Sequence, residues 1–191
     1  MRKKARLCFV DNIPGRGYTK AKRKGGRAVL LASALIGKEG GRAAGRQLLR
    51  QMYEAHVGAP LPEILRAENG KPYFKDAPWH FSISHTPRHV FCVLSLKEVG
   101  LDAEEMDRPI MLALADKILS EAEKKEYEKA EDKRLALLKF WVLKEAGAKF
   151  TGEGIRGYPN KTAYSLADPR VREMDGCFVA IIEEKENEHA V

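Results

Sequence analysis

No apolar run in the 191 residues approaches the roughly 18–20 residues that a membrane-spanning helix needs. The longest candidate, residues 28–36, is closed by charge on both sides, so no membrane partner is expected. The opening MRKKARLCFV is basic and then briefly apolar. It lacks the long apolar core and small-residue cleavage site of a signal peptide. Cysteine is scarce: Cys8, Cys92 and Cys177 lie far apart, each in an apolar stretch. An odd count without paired spacing argues against a disulfide framework and against zinc. Buried free thiols in a reducing, cytoplasmic compartment are expected instead. Internal repeats and low-complexity tracts are missing. So are the aromatic signatures of RNA-recognition modules and a helix-turn-helix pattern, and no nucleic-acid partner is expected.

What remains is a chain that is 44% hydrophobic and 32% charged, as befits one sizeable globular domain or two small ones sharing a core. Its formal net charge of +7 favours acidic partners. Residues 5–10 read as a strand. Residues 11–27, rich in Gly, Pro, Lys and Arg, read as a loop whose basic cluster is either a phosphate grip or a solvated charge run. Residues 28–57 read as helical on Leu30, Leu31, Leu35, Leu48, Leu49 and Met52, with a break near Gly40. Arg42, Arg46 and Arg50 recur at i,i+4 and share a face.

Residues 58–78 are loop-like, with a turn signal at Asn69-Gly70-Lys71-Pro72. In residues 80–86, Phe81 and Ile83 alternate with Ser82 and Ser84, as in a half-buried strand ending at His85. Residues 89–96 form a second strand, hairpin-paired with the first through Thr86-Pro87-Arg88. Beyond Pro109, residues 110–119 read as a short helix. Ser120 and Glu123 make a capping box, so a long helix should run from Glu121 to about Phe150. Residues 163–167 and 177–183 read as strands, the second preceded by a turn at Asp175-Gly176, and the tail is polar.

Two stretches carry chemistry. In residues 99–105 the period of two sends Val99 and Leu101 one way and Gly100, Asp102 and Glu104 the other. Two carboxylates on one face repel unless solvent or a cation separates them, and a hard divalent ion such as Mg²⁺ takes such oxygen ligands together with phosphates. An exposed acidic strand end has the same pattern. Residues 140–154, FWVLKEAGAKFTGEG, read as a helix end running into a glycine-containing loop. Glu145 and Lys149 are i,i+4 there and project from one face. That spacing suits a metal beside a phosphate, and equally a surface ion pair.

Together, GKPYF…FSISHT, VGLDAEEMDR and FWVLKEAGAKFTGEG resemble, in order and spacing, the 4′-phosphopantetheinyl transferases, specifically the long monomeric type that activates surfactin-like synthetases. The likeness spans residues 70–154, and residues 1–60 match loosely. It implies an α+β fold of two similar lobes, each a small antiparallel sheet packed with helices. The lobes would be pseudo-twofold related, spanning residues 1–97 and 98–191, with the cofactor cleft between them. It implies transfer of 4′-phosphopantetheine from coenzyme A to a serine of an acidic apo acyl or peptidyl carrier protein, with release of 3′,5′-ADP. Mg²⁺, or Mn²⁺, would be held by Asp102, Glu104 and Glu145. Glu145 would act as base and Lys149 would assist the leaving phosphate. Gly70, Lys71, Pro72, Ser84, His85, Lys144 and Lys149 would meet the coenzyme. Arg16, Lys20, Lys22, Arg23, Arg42 and Arg46 are looser candidates for its phosphate. A monomer follows from both lobes lying in one chain. Val142 stands where the family commonly has Ser or Thr, and Ala103 where a larger aliphatic is usual.

Two other readings compete. An acidic pair followed by Glu-x-x-x-Lys in a basic protein also fits a metal-dependent nuclease, although such enzymes usually set acid and lysine one residue apart on a strand. A non-enzymatic nucleic-acid-binding module fits the net charge but leaves Asp102 and Glu104 without a purpose.

Overall fold

The computed structural model describes residues 6–10, 29–155 and 162–184. The basic loop with Arg16, Lys20, Lys22 and Arg23, and the polar tail beyond residue 184, lie outside the described residues.

The fold is α+β, and all strand pairs among the described residues are antiparallel. β1 (Arg6–Val10), β2 (Val29–Leu35), β5 (His80–His85) and β6 (His89–Ser95) form a four-stranded sheet in the order β1-β2-β6-β5. β7 (Val99–Glu105), β8 (Val171–Met174) and β9 (Cys177–Glu183) form a second sheet in the order β7-β9-β8. β3 (Ile64–Arg66) and β4 (Pro72–Phe74) make a separate ribbon. The chain crosses from the first sheet to the second through residues 96–98.

Strand alternation sorts the apolar side chains into three cores. Leu31, Phe91 and Val93 meet Val99, Leu101, Ala103, Cys177 and Val179 between the two sheets. On the other face of the first sheet, Leu30, Ala32, Val90, Cys92 and Leu94 pack against Leu48, Leu49 and Met52 of α1 (Gly41–Val57). On the other face of the second sheet, Phe178, Ala180 and Ile182 pack against α4 (Lys133–Thr151) through Leu138, Val142, Leu143 and Ala146. The layers therefore run helix, sheet, sheet, helix. Cys92 and Cys177 are free and buried, as their apolar settings predict.

Several expectations need correcting. Residues 29–35 are strand β2, not the first part of a helix. A strand buried on both faces is a continuous apolar run, which periodicity cannot distinguish from buried helix. The helix expected from Glu121 to Phe150 is two: α3 (Glu121–Lys129) and α4. Asp132 starts the second by accepting from the Leu135 N–H at 2.9 Å, while the Lys133 ammonium takes the Tyr127 carbonyl at 2.8 Å as α3 ends. The expected short helix is a 3₁₀ turn over Leu112–Leu114 followed by α2 (Ala115–Ile118). Residues 163–167 are not a strand, because their backbone bonds go elsewhere. The Tyr164 N–H donates to Glu123 at 2.9 Å and the Leu166 N–H to Glu126 at 2.8 Å. The Asp175-Gly176 turn stands, both residues having positive φ, and it joins β8 to β9.

Candidate active site

β7 is an edge strand of its sheet, yet it is buried. Its outer N–H groups therefore need acceptors. β5 supplies them as side chains: Ser82 Oγ accepts from the Leu101 N–H at 3.0 Å and Ser84 Oγ from the Ala103 N–H at 3.2 Å. Ser82 and Ser84 are therefore buried polar groups between the strands, not a solvent face. The capping box at Ser120 and Glu123 is present and starts α3.

α4 crosses β7 at Gly100. A Cβ there would stand 2.1 Å from the Ala146 carbonyl oxygen and 2.5 Å from the Phe150 nitrogen, so only glycine admits the helix. The close approach lays the face of Trp141, Glu145 and Lys149, spaced i, i+4, i+8, beside the Asp102 and Glu104 side of the strand.

Asp102 is almost fully buried. Its Oδ1 accepts from Lys149 Nζ at 2.7 Å and from Ser84 Oγ at 2.8 Å. Its Oδ2 has no hydrogen-bond partner among the described residues. Glu104 Oε1 accepts from Trp141 Nε1 at 3.0 Å and pairs with the Arg108 guanidinium. Burial pushes the Glu104 carboxyl above its usual range and the Asp102 charge adds to the rise, against the pull of Arg108 and Trp141. Glu145 is raised in the same way, by burial first and by Asp102 next; Glu104 adds to this, while Lys149 and Arg108 oppose it. Glu104 and Glu145 thus both sense the Asp102 charge, Glu145 across the helix–strand contact.

As the side chains stand, no three His, Cys, Asp or Glu groups among the described residues are arranged as a ready ligand set. Lys149 and Arg108 hold one oxygen each of Asp102 and Glu104. The donor chemistry nevertheless fits a hard divalent cation. It consists of carboxylate oxygens only, and one of them is buried without a donor.

A cleft of about 300 Å³ adjoins this cluster. Gly70, Lys71 and Pro72 line one side, and Glu145, Lys149 and Gly152 the other. Ser82 and Ile83 of β5 also line it. Gly70 reaches its position with φ of +83°, which the Asn-Gly turn supplies.

The remaining expected site residues are placed differently from one another. His85 is exposed at the end of β5, against Gly41 at the start of α1, where Arg42 and Arg46 are also exposed. Ser84 is buried, and its hydroxyl donates to Asp102 while accepting from Ala103 N–H and, at 3.2 Å, from Lys149. A hydroxyl has one proton and two lone pairs, so all of its capacity is used. Lys144 is off the cleft. Its side chain is 0% exposed, as is that of Glu123, with which it pairs at 2.9 Å. One residue before Glu145 on a helix points about 100° away, and here that direction is the core under α3. The expected phosphate contact of Lys144 is thereby corrected to a buried ion pair.

Sequence reasoning missed Trp141 and Arg108 as holders of Glu104. Both were within reach of it. Trp141 precedes Glu145 by four residues on the same helix, and Arg108 follows Glu104 by four.

No helix among the described residues is long and apolar enough to cross a membrane. Residues 98–182, from the crossing segment to the end of the second sheet, match the family model of the 4′-phosphopantetheinyl transferase superfamily. The chain is 33% identical over 116 residues to 4′-phosphopantetheinyl transferase psf-1 of Bacillus pumilus, covering 58% of this chain and 49% of that protein. It is 37% identical over 114 residues to 4′-phosphopantetheinyl transferase AcpT of Salmonella typhimurium, covering 57% of each. It is 36% identical over 92 residues to 4′-phosphopantetheinyl transferase Sfp of Bacillus subtilis, covering 46% of this chain and 40% of that protein. The chain spans about half the length of the curated relatives it matches. The segment that builds the carboxylate cluster is thus the segment in which the chain is similar to the 4′-phosphopantetheinyl transferase superfamily, the family that its strand and helix motifs resemble.

Proposed function

We propose that the protein transfers 4′-phosphopantetheine from coenzyme A to a serine of an apo acyl or peptidyl carrier protein, with Mg²⁺ or Mn²⁺ as cofactor. The observation that carries this reading is the buried Asp102 Oδ2, donor-free among the described residues, beside Glu104 and Glu145, whose carboxyls are both raised by burial and then by the Asp102 charge, next to a cleft that Glu145 lines. The similarity to 4′-phosphopantetheinyl transferases supports it.

Asp102, Glu104 and Glu145 would hold the metal ion, which when bound neutralises charge on the pyrophosphate. The serine hydroxyl attacks the β-phosphorus of coenzyme A. The new serine–phosphorus ester bond forms as the bond to the bridging oxygen breaks, and 3′,5′-ADP departs with that oxygen. The serine proton passes to Glu145. A carboxyl raised above its usual range is a better base than an ordinary one. Lys149, one turn on, sits at the cleft to stabilise the departing phosphate. Gly70 and Pro72 offer backbone and ring to the adenosine end, and His85 with Arg42 and Arg46 form the exposed basic edge for its phosphates. Ser84 serves by holding Asp102. The remaining parts of the reading are a pseudo-twofold relation of the two lobes, divided near residues 96–98, a monomeric chain, and a carrier whose acidity matches the +7 charge.

The test is incubation with coenzyme A, Mg²⁺ and several apo carrier proteins, followed by intact-mass measurement. A gain of one phosphopantetheine per carrier is expected, and no gain on any carrier refutes the activity.

A further inference from the structure

The last turn of α4 ends at the cleft, and its terminal carbonyls need partners. The Ala148 carbonyl takes the Gly152 N–H at 2.9 Å within the helix's own cap. Those of Phe150 and Thr151 are taken from outside. Lys71 Nζ donates to the Phe150 carbonyl at 2.6 Å, and Asn69 Nδ2 to the Thr151 carbonyl at 3.4 Å. The same ammonium pairs with Glu98, in the segment that crosses between the sheets, and lies 5.5 Å from the centre of the Phe150 ring. Glu98 is in turn braced by His80 Nδ1 at 3.1 Å. The turn that presents Lys71 is itself stiffened. Arg66 donates to the Gly70 carbonyl at 2.7 Å, and the Lys71 N–H to Asn69 Oδ1 at 3.1 Å.

Three segments distant in sequence therefore meet at one ammonium. Two of them are the opposite walls of the cleft, residues 69–72 and residues 145–152. Behind them lies a second cavity of about 480 Å³, to which Glu98, Phe150 and Trp79 contribute, and Asn69, Lys71 and Pro72 line both. Lys71 is thus one of the residues that the two spaces share. A cation at a helix C-terminus is also favoured by the helix dipole.

We infer that Lys71 and Glu98 are positioning residues: together they clamp the turn at residues 69–72 to the end of α4 and fix the width of the cleft, and the Lys71 ammonium is not a contact for the coenzyme's phosphates. This deepens the reading of the cleft as a coenzyme A site and rests on it. Two of the three ammonium donors are committed, one to the Glu98 carboxylate and one to the Phe150 carbonyl, so a phosphate at Lys71 would share a charge that Glu98 already neutralises.

Glu98→Gln decides the matter by sign. The side chain is half-buried and the substitution isosteric, so the fold is kept. The clamp predicts weaker coenzyme A binding by several-fold in calorimetry, because the walls are less firmly joined. A phosphate-binding Lys71 predicts the reverse, since neutralising Glu98 would free its charge. Amide exchange in residues 148–152, measured without ligand, should rise about tenfold, on the order of one net charge-assisted hydrogen bond lost. Lys71→Met should raise that exchange equally and weaken coenzyme A and 3′-dephospho-coenzyme A by the same factor, while Lys71→Arg keeps most of the affinity. Turnover per folded molecule, measured well below the melting temperature, should fall in Lys71→Met, which loss of stability alone would not cause. Tighter binding by Glu98→Gln, a loss confined to coenzyme A in Lys71→Met, or unchanged exchange overturns the inference. If the wild-type protein binds no coenzyme A, the functional reading fails, and the exchange at residues 148–152 still decides the clamp.

Discussion

Lys149 of α4 and Asp102 of β7 are joined by a 2.7 Å ion pair in which the lysine holds Oδ1 and leaves Oδ2 bare. The acid is almost fully buried, whereas the lysine side chain is one-third exposed. Removing the lysine leaves a buried carboxylate with the Ser84 hydroxyl and no cation. Lys149→Ala should therefore cost about 1–3 kcal/mol in chemical denaturation, at the low end because the exposed partner is screened. The variant also removes the ammonium that competes with an added cation. Mg²⁺ at millimolar concentration should raise its melting temperature more than that of the wild type. Equal shifts in the two proteins would mean that the carboxylates do not take the ion.

Glu145 gives a prediction with opposite signs for activity and stability. Its carboxyl is raised by burial and by the Asp102 charge. A group raised in the folded state contributes stability that is fully present below the unfolded carboxyl's range and is lost as pH rises through the folded value. At neutral pH the ionised Glu145 therefore weighs against the fold. Glu145→Gln should melt about 1–3 °C higher than the wild type at pH 7 without added metal, a shift corresponding to less than about 1 kcal/mol in a chain of this size. The advantage should vanish near pH 4. Turnover should fall by about 100-fold or more with the base gone. A variant that keeps near-normal turnover would remove Glu145 from the reaction.

The local chemistry of the site was legible because it follows from short-range periods. Strand alternation put Asp102 and Glu104 on one face, and helical spacing aligned Glu145 with Lys149. What the sequence concealed depends on neighbours distant along the chain. β2 is apolar on both faces because it lies between α1 and a second sheet, and nothing within residues 29–35 records that. Ser82 and Ser84 alternate with apolar residues as a solvent-facing pair would, but the edge of β7 takes the place of solvent. Lys71 sits in a motif associated with coenzyme binding, while its ammonium ends on Glu98 and on the Phe150 carbonyl.

Lys144 and Glu123 test the correction made on α4. Their side chains are both 0% exposed, and Glu123 also accepts from the Ser120 and Tyr164 N–H groups. Lys144→Met should cost about 3–5 kcal/mol, since it leaves that carboxylate buried without its cation. In the fraction that remains folded at low temperature, the KM for coenzyme A should equal that of the wild type. A raised KM with unchanged stability would return Lys144 to the phosphate site.

Ser84 separates holding a carboxylate from holding a ligand. Its hydroxyl donates to Asp102 and accepts from Ala103 N–H and Lys149, so no capacity remains for a phosphate oxygen. Ser84→Ala strands a buried N–H and removes one of the two donors that fix Asp102, at a cost of about 1–3 kcal/mol. With Oδ1 less firmly held, Asp102 no longer presents Oδ2 in one direction. Mn²⁺ affinity, followed by electron paramagnetic resonance without coenzyme, should drop several-fold. Coenzyme A affinity measured without metal should stay within twofold of the wild type, because the hydroxyl's proton and lone pairs are committed to protein partners. The opposite pattern, intact Mn²⁺ binding with lost coenzyme affinity, would put Ser84 in contact with the coenzyme and require its bond to Asp102 to open when the coenzyme binds.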